Sequence, residues 1–107
     1  MTKIKLNKTA TYKKLINFGF QKYGVSYRLS VPVCTYNTKP TITVDFYINL
    51  ETGLFEYEVV DQNNRCLYTP YYVRTYGKND VVNQADQIIQ KYLQEMQNAR
   101  IIKKIRR

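Results

Sequence analysis

From Val25 to Val33 every second residue is apolar: Val25, Tyr27, Leu29, Val31 and Val33 alternate with Ser26, Arg28, Ser30 and Pro32. A period of two is the strand signature, with one face toward a core and one toward water. Proline cannot donate to a ladder, so Pro32 puts this strand, or its end, at a sheet edge. "YNTKP" follows as a loop. A cleaner alternation comes next, with Ile42, Val44, Phe46, Ile48 and Leu50 inward and Thr41, Thr43, Asp45, Tyr47 and Asn49 outward. After "ETG" the pattern resumes with Phe55, Tyr57 and Val59 inward and Glu56 and Glu58 outward. The two runs make a hairpin, because a one-residue slip would send every apolar side chain to solvent. Pairing Leu50 with Phe55 leaves residues 51–54 as its loop and sets Tyr47 opposite Glu58.

"DQNNR" reads as the next turn, with Asn63 and Asn64 able to take positive φ. Cys66 and Tyr68 continue the inner face. Beyond Pro70 the phase resets, and because an unpaired buried arginine is costly, Tyr72, Arg74 and Tyr76 face outward while Tyr71 and Val73 face in.

Two stretches change to a period of 3.6. Thr9 or Thr11 can cap a short helix whose apolar face is Tyr12, Leu15 and Ile16. Gly19 stops it, and with Gly19 as the left-handed residue past the helix, Phe20 folds back onto Leu15. The stronger signal is near the C-terminus, where Val82, Ala85, Ile89, Tyr92, Met96 and Ala99 step by three and four behind an N-cap at Asn79 or Asp80. Continued to Ile105 this helix would be about 26 residues and ~39 Å long, more than a sheet of this size needs as cover. Its last turns are therefore expected to overhang, leaving Ile101, Ile102 and Ile105 for a partner or a second copy of the chain.

The predicted architecture is α+β: a short N-terminal helix, an antiparallel sheet of three to four strands, and a long C-terminal helix packed on one sheet face. One α-β-β-β(-β)-α domain spans 1–107, with loose basic ends at 1–8 and 100–107. Double-stranded-RNA-binding domains share this order of elements. The likeness is one of topology, since their pattern has a lysine cluster where the second helix begins and "GKNDVVNQ" has Lys78 followed by Asp80.

Charge sharpens the picture. The net charge of +9 is distributed as +7 over residues 1–28, −1 over 29–79 and +3 over 80–107. Both ends are basic and the middle is near neutral. Lys, Asn, Ile and Tyr supply 40 of the 107 residues, a bias toward AT-rich codons that points to a low-GC bacterium or one of its phages. The same bias offers a compositional origin for the eleven tyrosines.

Candidate chemistry is sparse. With no histidine in the chain, Cys34 and Cys66 far apart in sequence, and only Ser26 and Ser30 as serines, no zinc site, Cys/His nucleophile or hydrolase triad can be assembled. Asp45, Glu56, Glu58 and Asp61 read as a solvated hairpin face rather than a metal set, and the two cysteines as reduced packing thiols. No cofactor, metal or enzymatic activity is expected. The lysines at the N-terminus are followed by no apolar run, and nowhere do eighteen apolar residues run together, so the chain reads as cytoplasmic with no membrane partner.

What remains is binding. Lys3, Lys5, Lys8, Lys13 and Lys14 with Arg100, Lys103, Lys104, Arg106 and Arg107 are the candidate phosphate contacts, which favours nucleic acid as the acidic partner and an accessory role for the protein. Tyr72, Arg74 and Tyr76 form an aromatic-cation-aromatic stripe, the composition of a single-strand stacking platform or of an interaction face. The alternative is a protein-interaction module, a modulator of a host complex or a homodimer, using Tyr72, Tyr76 and Ile101, Ile102 and Ile105.

Overall fold

The structure, a computed structural model, describes residues 4–73 and 80–103. Helix α1 (Tyr12–Phe18) leads into a five-stranded antiparallel sheet of β1 (Gln21–Tyr23), β2 (Ser26–Tyr36), β3 (Lys39–Asn49), β4 (Leu54–Asp61) and β5 (Cys66–Leu67), in sequential order. A single helical turn α2 (Thr69–Tyr72) and the long helix α3 (Asp80–Asn98) complete it. The fold class is the expected one; the sheet gains one short strand, β1, and the expected fourth strand is cut to the two residues of β5.

One sheet face carries the core. Val44, Phe46 and Ile48 of β3, Val31 of β2 and Phe55 and Val59 of β4 pack with Leu15 and Phe20 and with Ala85, Ile89, Leu93 and Met96 of α3. Both helices lie on this face, and Tyr92 of α3 links them, its ring centroid 5.7 Å from Phe46 and 6.3 Å from Phe18 of α1. Leu15 and Phe18 are the side chains α1 turns inward. Tyr12 and Ile16, expected on its apolar face, are 56% and 48% exposed.

The α1 terminus follows the sequence reading closely. Thr11 accepts from Lys14 N, Gly19 has φ +125°, and Phe20 N donates to Leu15 O at 2.9 Å, bringing Phe20 against Leu15. Pro32 lies where β1 no longer covers β2, so the strand's end is an edge there, and the ladder is bulged just beyond it. Val25 is not inward: it is 80% exposed in the tight turn between β1 and β2, where Gly24 has φ +62°.

Elsewhere turn chemistry set the pairing that the alternation left open. In the β3–β4 hairpin Asn49 pairs with Leu54 and Ile48 with Phe55, so Tyr47 faces Glu56 and Asp45 faces Glu58. The predicted Leu50–Phe55 pairing keeps the same faces inward but is two residues out. The side chain of Asn49 accepts from Glu51 N and Thr52 N, and Gly53 at φ +74° donates to Asn49 O, which closes the loop one residue earlier on each side. In the β4–β5 turn Asp61 accepts from Asn63 N and Asn64 N, and Arg65, not an asparagine, takes the positive φ. Cys66, expected inside, is exposed, whereas Cys34 packs against the core.

The largest departure is at the C-terminus. Helix α3 stops at Asn98; Arg100 takes φ +60°, Arg100 N donates to Gln97 O and Ile101 N to Met96 O. These are the two bonds of a Schellman cap, with arginine in the position usually held by glycine. The chain then turns back and pairs antiparallel with the N-terminal segment: Leu6 bridges Ile102, Asn7 N donates to Ile101 O and Lys103 N to Lys5 O. Ile101 and Ile102 are 0% and 1% exposed. The expected overhang is corrected: these isoleucines close the core, and residues 5–7 and 101–103 tie the two ends together. Ile105 lies outside the described residues.

Candidate functional site

Pairing the two ends gathers cations that are a whole chain apart in sequence. Lys103 N donates to Lys5 O at 2.8 Å, which sets Lys103 opposite Lys5, and both side chains are exposed. Thr9 Oγ1 donates to Arg100 O at 3.2 Å, and Lys14 Nζ donates to Thr9 Oγ1 at 2.8 Å, so the α1 lysine reaches the same corner. Asn7 holds the loop in shape by accepting from Thr9 N through Oδ1, and the single Thr9 hydroxyl proton is shared between Asn7 Oδ1 and Arg100 O. Lys8 and Lys13 are exposed on the segments that flank this corner. Lys3, Lys104, Arg106 and Arg107 lie outside the described residues.

Lys5, Lys14, Arg100 and Lys103 at this corner and the flanking Lys8 and Lys13 make no ion pair among the described residues, where the pair Arg28–Asp45 is found instead. Residues 1–28 contain no acid at all, and the acid closest to Arg100 in sequence is Glu95. Like charges placed opposite each other on paired segments repel. An anion with several charges relieves that repulsion, and a row of phosphates has the required form.

Tyr72, the described member of the tyrosine stripe, does not lie on a strand. Thr69–Tyr72 is a helical turn, begun by Pro70 in its first turn, where the missing N–H costs nothing. Tyr72 accepts a hydrogen bond from Val59 N at 3.0 Å and packs edge-on against Tyr71, so its hydroxyl caps the free edge of β4. Arg74 and Tyr76 lie outside the described residues.

The carboxylates expected to share the outer sheet face are not equivalent. Asp45 is 1% exposed and saturated: Ser30 Oγ donates to Oδ1 at 2.6 Å, Thr43 Oγ1 to Oδ1 at 2.9 Å and Arg28 to Oδ2 at 3.0 Å. Burial tends to lower the Arg28 pKa, but the hydrogen bond and charge of Asp45 outweigh it and hold the guanidinium above its ordinary value. Burial, with the Asp45 charge adding to it, pushes the Tyr47 hydroxyl up as well. Asp61 is held below the usual carboxylate range by the side-chain and backbone hydrogen bonds of Asn64 and the backbone of Asn63. The oxygens of Asp45 and Asp61 are thus committed, and no group of three metal-ligating side chains forms among the described residues. The Arg28–Asp45 pair was missed in the sequence because it needs the β2–β3 register, which sets Arg28 opposite Tyr47 and Ser30 opposite Asp45.

No protein-family model matches the chain, and no curated protein matches it. Its fold is similar to the crystal structure of a DUF1831 family protein from Lactobacillus plantarum, with a TM-score of 0.65 over 91% of this chain and 82% of that one. At 16% identity the likeness is one of fold. No described helix is long and apolar enough to cross a membrane.

Proposed function

We propose that this chain is a small non-enzymatic binding protein that holds nucleic acid on the basic edge where its two ends meet. The observation that supports this most is the pairing of Lys5 with Lys103 beside Arg100 and Lys14, four cations from opposite ends of the sequence that make no ion pair among the described residues. Tyr72, on the turn beside β4 with its hydroxyl accepting from Val59 N, is not among the phosphate contacts of this reading. Contact through Ile101 and Ile102 is likewise set aside, since both are enclosed in the core.

The test is binding of a labelled duplex and a labelled single strand, followed by anisotropy across a salt series. Each phosphate contact flattens the slope of log K against log salt by about 0.9 on a duplex or about 0.7 on a single strand when it is removed. Lys5→Gln with Lys103→Gln should lower the slope by up to two such steps and weaken binding to unrelated sequences alike. Absence of binding by the wild type at low salt, or an unchanged slope in the double variant, refutes the reading.

A further inference from the structure

On the sheet face opposite the helices, the register of four adjacent strands lines up Gln21, Arg28, Tyr47 and Glu56 in one row. One step toward the turns, Tyr23 pairs with Ser26 and Asn49 with Leu54. Between these rows lies a groove of about 370 Å³ lined by Tyr23, Val25, Tyr47, Asn49, Leu54 and Glu56, within the range of small-ligand sites. The rings of Tyr23 and Tyr47 stand 6.1 Å apart at 55°, forming an open angle, and Val25 and Leu54 are exposed beside them.

The electrostatics of the groove run against those of the whole protein. Five of the eight acids of this basic chain, Asp45, Glu51, Glu56, Glu58 and Asp61, fall on or beside the β3–β4 hairpin. Asp45 is neutralised by Arg28, while Glu56 is exposed and makes no hydrogen bond or ion pair among the described residues. Arg28 does not fill the groove: it lines a separate hollow with Lys22 and Ser30. Its guanidinium carbon nevertheless sits 5.2 Å from the Tyr23 ring centroid, so the same aromatic wall already attracts a guanidinium within the molecule.

We propose that this groove receives an arginine side chain of a partner polypeptide, with Glu56 as its counter-charge and the Tyr23 and Tyr47 rings as stacking walls. A planar guanidinium suits both contacts at once, pairing with a carboxylate through its edge while lying on an aromatic face. The groove shares no residue with the basic edge, so the two sites stand or fall separately.

The probe is blocked arginine, N-acetylarginine amide, titrated into isotope-labelled wild-type protein and followed by amide NMR. N-acetylcitrulline amide, a neutral molecule of nearly the same shape, is the control. Shifts confined to residues 23–26, 47–49 and 54–56, saturating in the millimolar range with arginine and absent with citrulline, are expected. Glu56→Gln, an exposed change that leaves the dispersed spectrum intact, should weaken the arginine response about three- to fivefold. Equal responses to both probes, no response to either in the tens of millimolar, or an unaltered titration in Glu56→Gln overturns the proposal.

Discussion

Asp45 is buried and held by three close donors, Arg28, Ser30 and Thr43, with the Tyr47 hydroxyl a fourth at 3.5 Å, which makes it sensitive to any loss of its partners. Replacing it with alanine leaves the Arg28 guanidinium half-enclosed without a counter-charge, and breaking such a pair from one side costs about 3 kcal/mol. Urea unfolding should show that loss in Asp45→Ala and recovery of most of it in Arg28→Met with Asp45→Leu, because removing both charges leaves neither stranded. Tyr47 supplies a pH-dependent test. Its folded pKa lies above the ordinary 10.0. Its contribution is therefore complete below that value and is lost as pH rises through the folded one. Tyr47→Phe should unfold at higher pH than the wild type when followed by circular dichroism from about pH 9 to about pH 12.

Among the elements, the turns carry the strain. The β2–β3 hairpin closes through Asn37 and Thr38 at φ +50° and +66°, the two positive values of a type I′ turn, which favours glycine in second place. Thr38→Gly should raise stability by about 0.5–1 kcal/mol, measured as a higher denaturation midpoint with an unchanged slope. Arg100 occupies the left-handed position after α3 at φ +60°. Arg100→Gly should stabilise by a similar amount while weakening the proposed nucleic-acid binding, two effects that separate the backbone role of this residue from its charge. A loss of stability in Arg100→Gly would show that its side chain, and not only its backbone, supports the cap.

At the scale of the molecule, the two termini act as one structural unit. Deleting residues 100–107 removes Ile101 and Ile102 from the core, each worth about 2–5 kcal/mol as judged by large-to-small substitutions. Against a total stability of about 5–15 kcal/mol, that deletion should leave the chain largely unfolded at 37 °C. Deleting only residues 104–107 keeps the Leu6–Ile102 pairing and should leave a folded protein that has lost three cations. Circular dichroism distinguishes the two truncations, and a folded 1–99 fragment would show that the paired ends are dispensable.

Local pattern alone determined the faces of β2, β3 and β4, the Schellman cap at Gly19 and the core stripe of α3, because periodicity and cap chemistry act within a few residues. It also determined that the charge lies at the ends. Alternation has the same parity for pairings two residues apart, so it left the β3–β4 register open until the Asn49 side chain and Gly53 closed the loop. Helical periodicity ran on through Ile102 because isoleucines at that spacing satisfy a helix face and a returning strand equally well. Their burial depends on Leu6, nearly a hundred residues earlier. The basic edge and the tyrosine groove belong to the same class of feature: each is built from residues whose neighbours are set by pairing across the sheet or between the ends, and such proximity has no trace in a local sequence window.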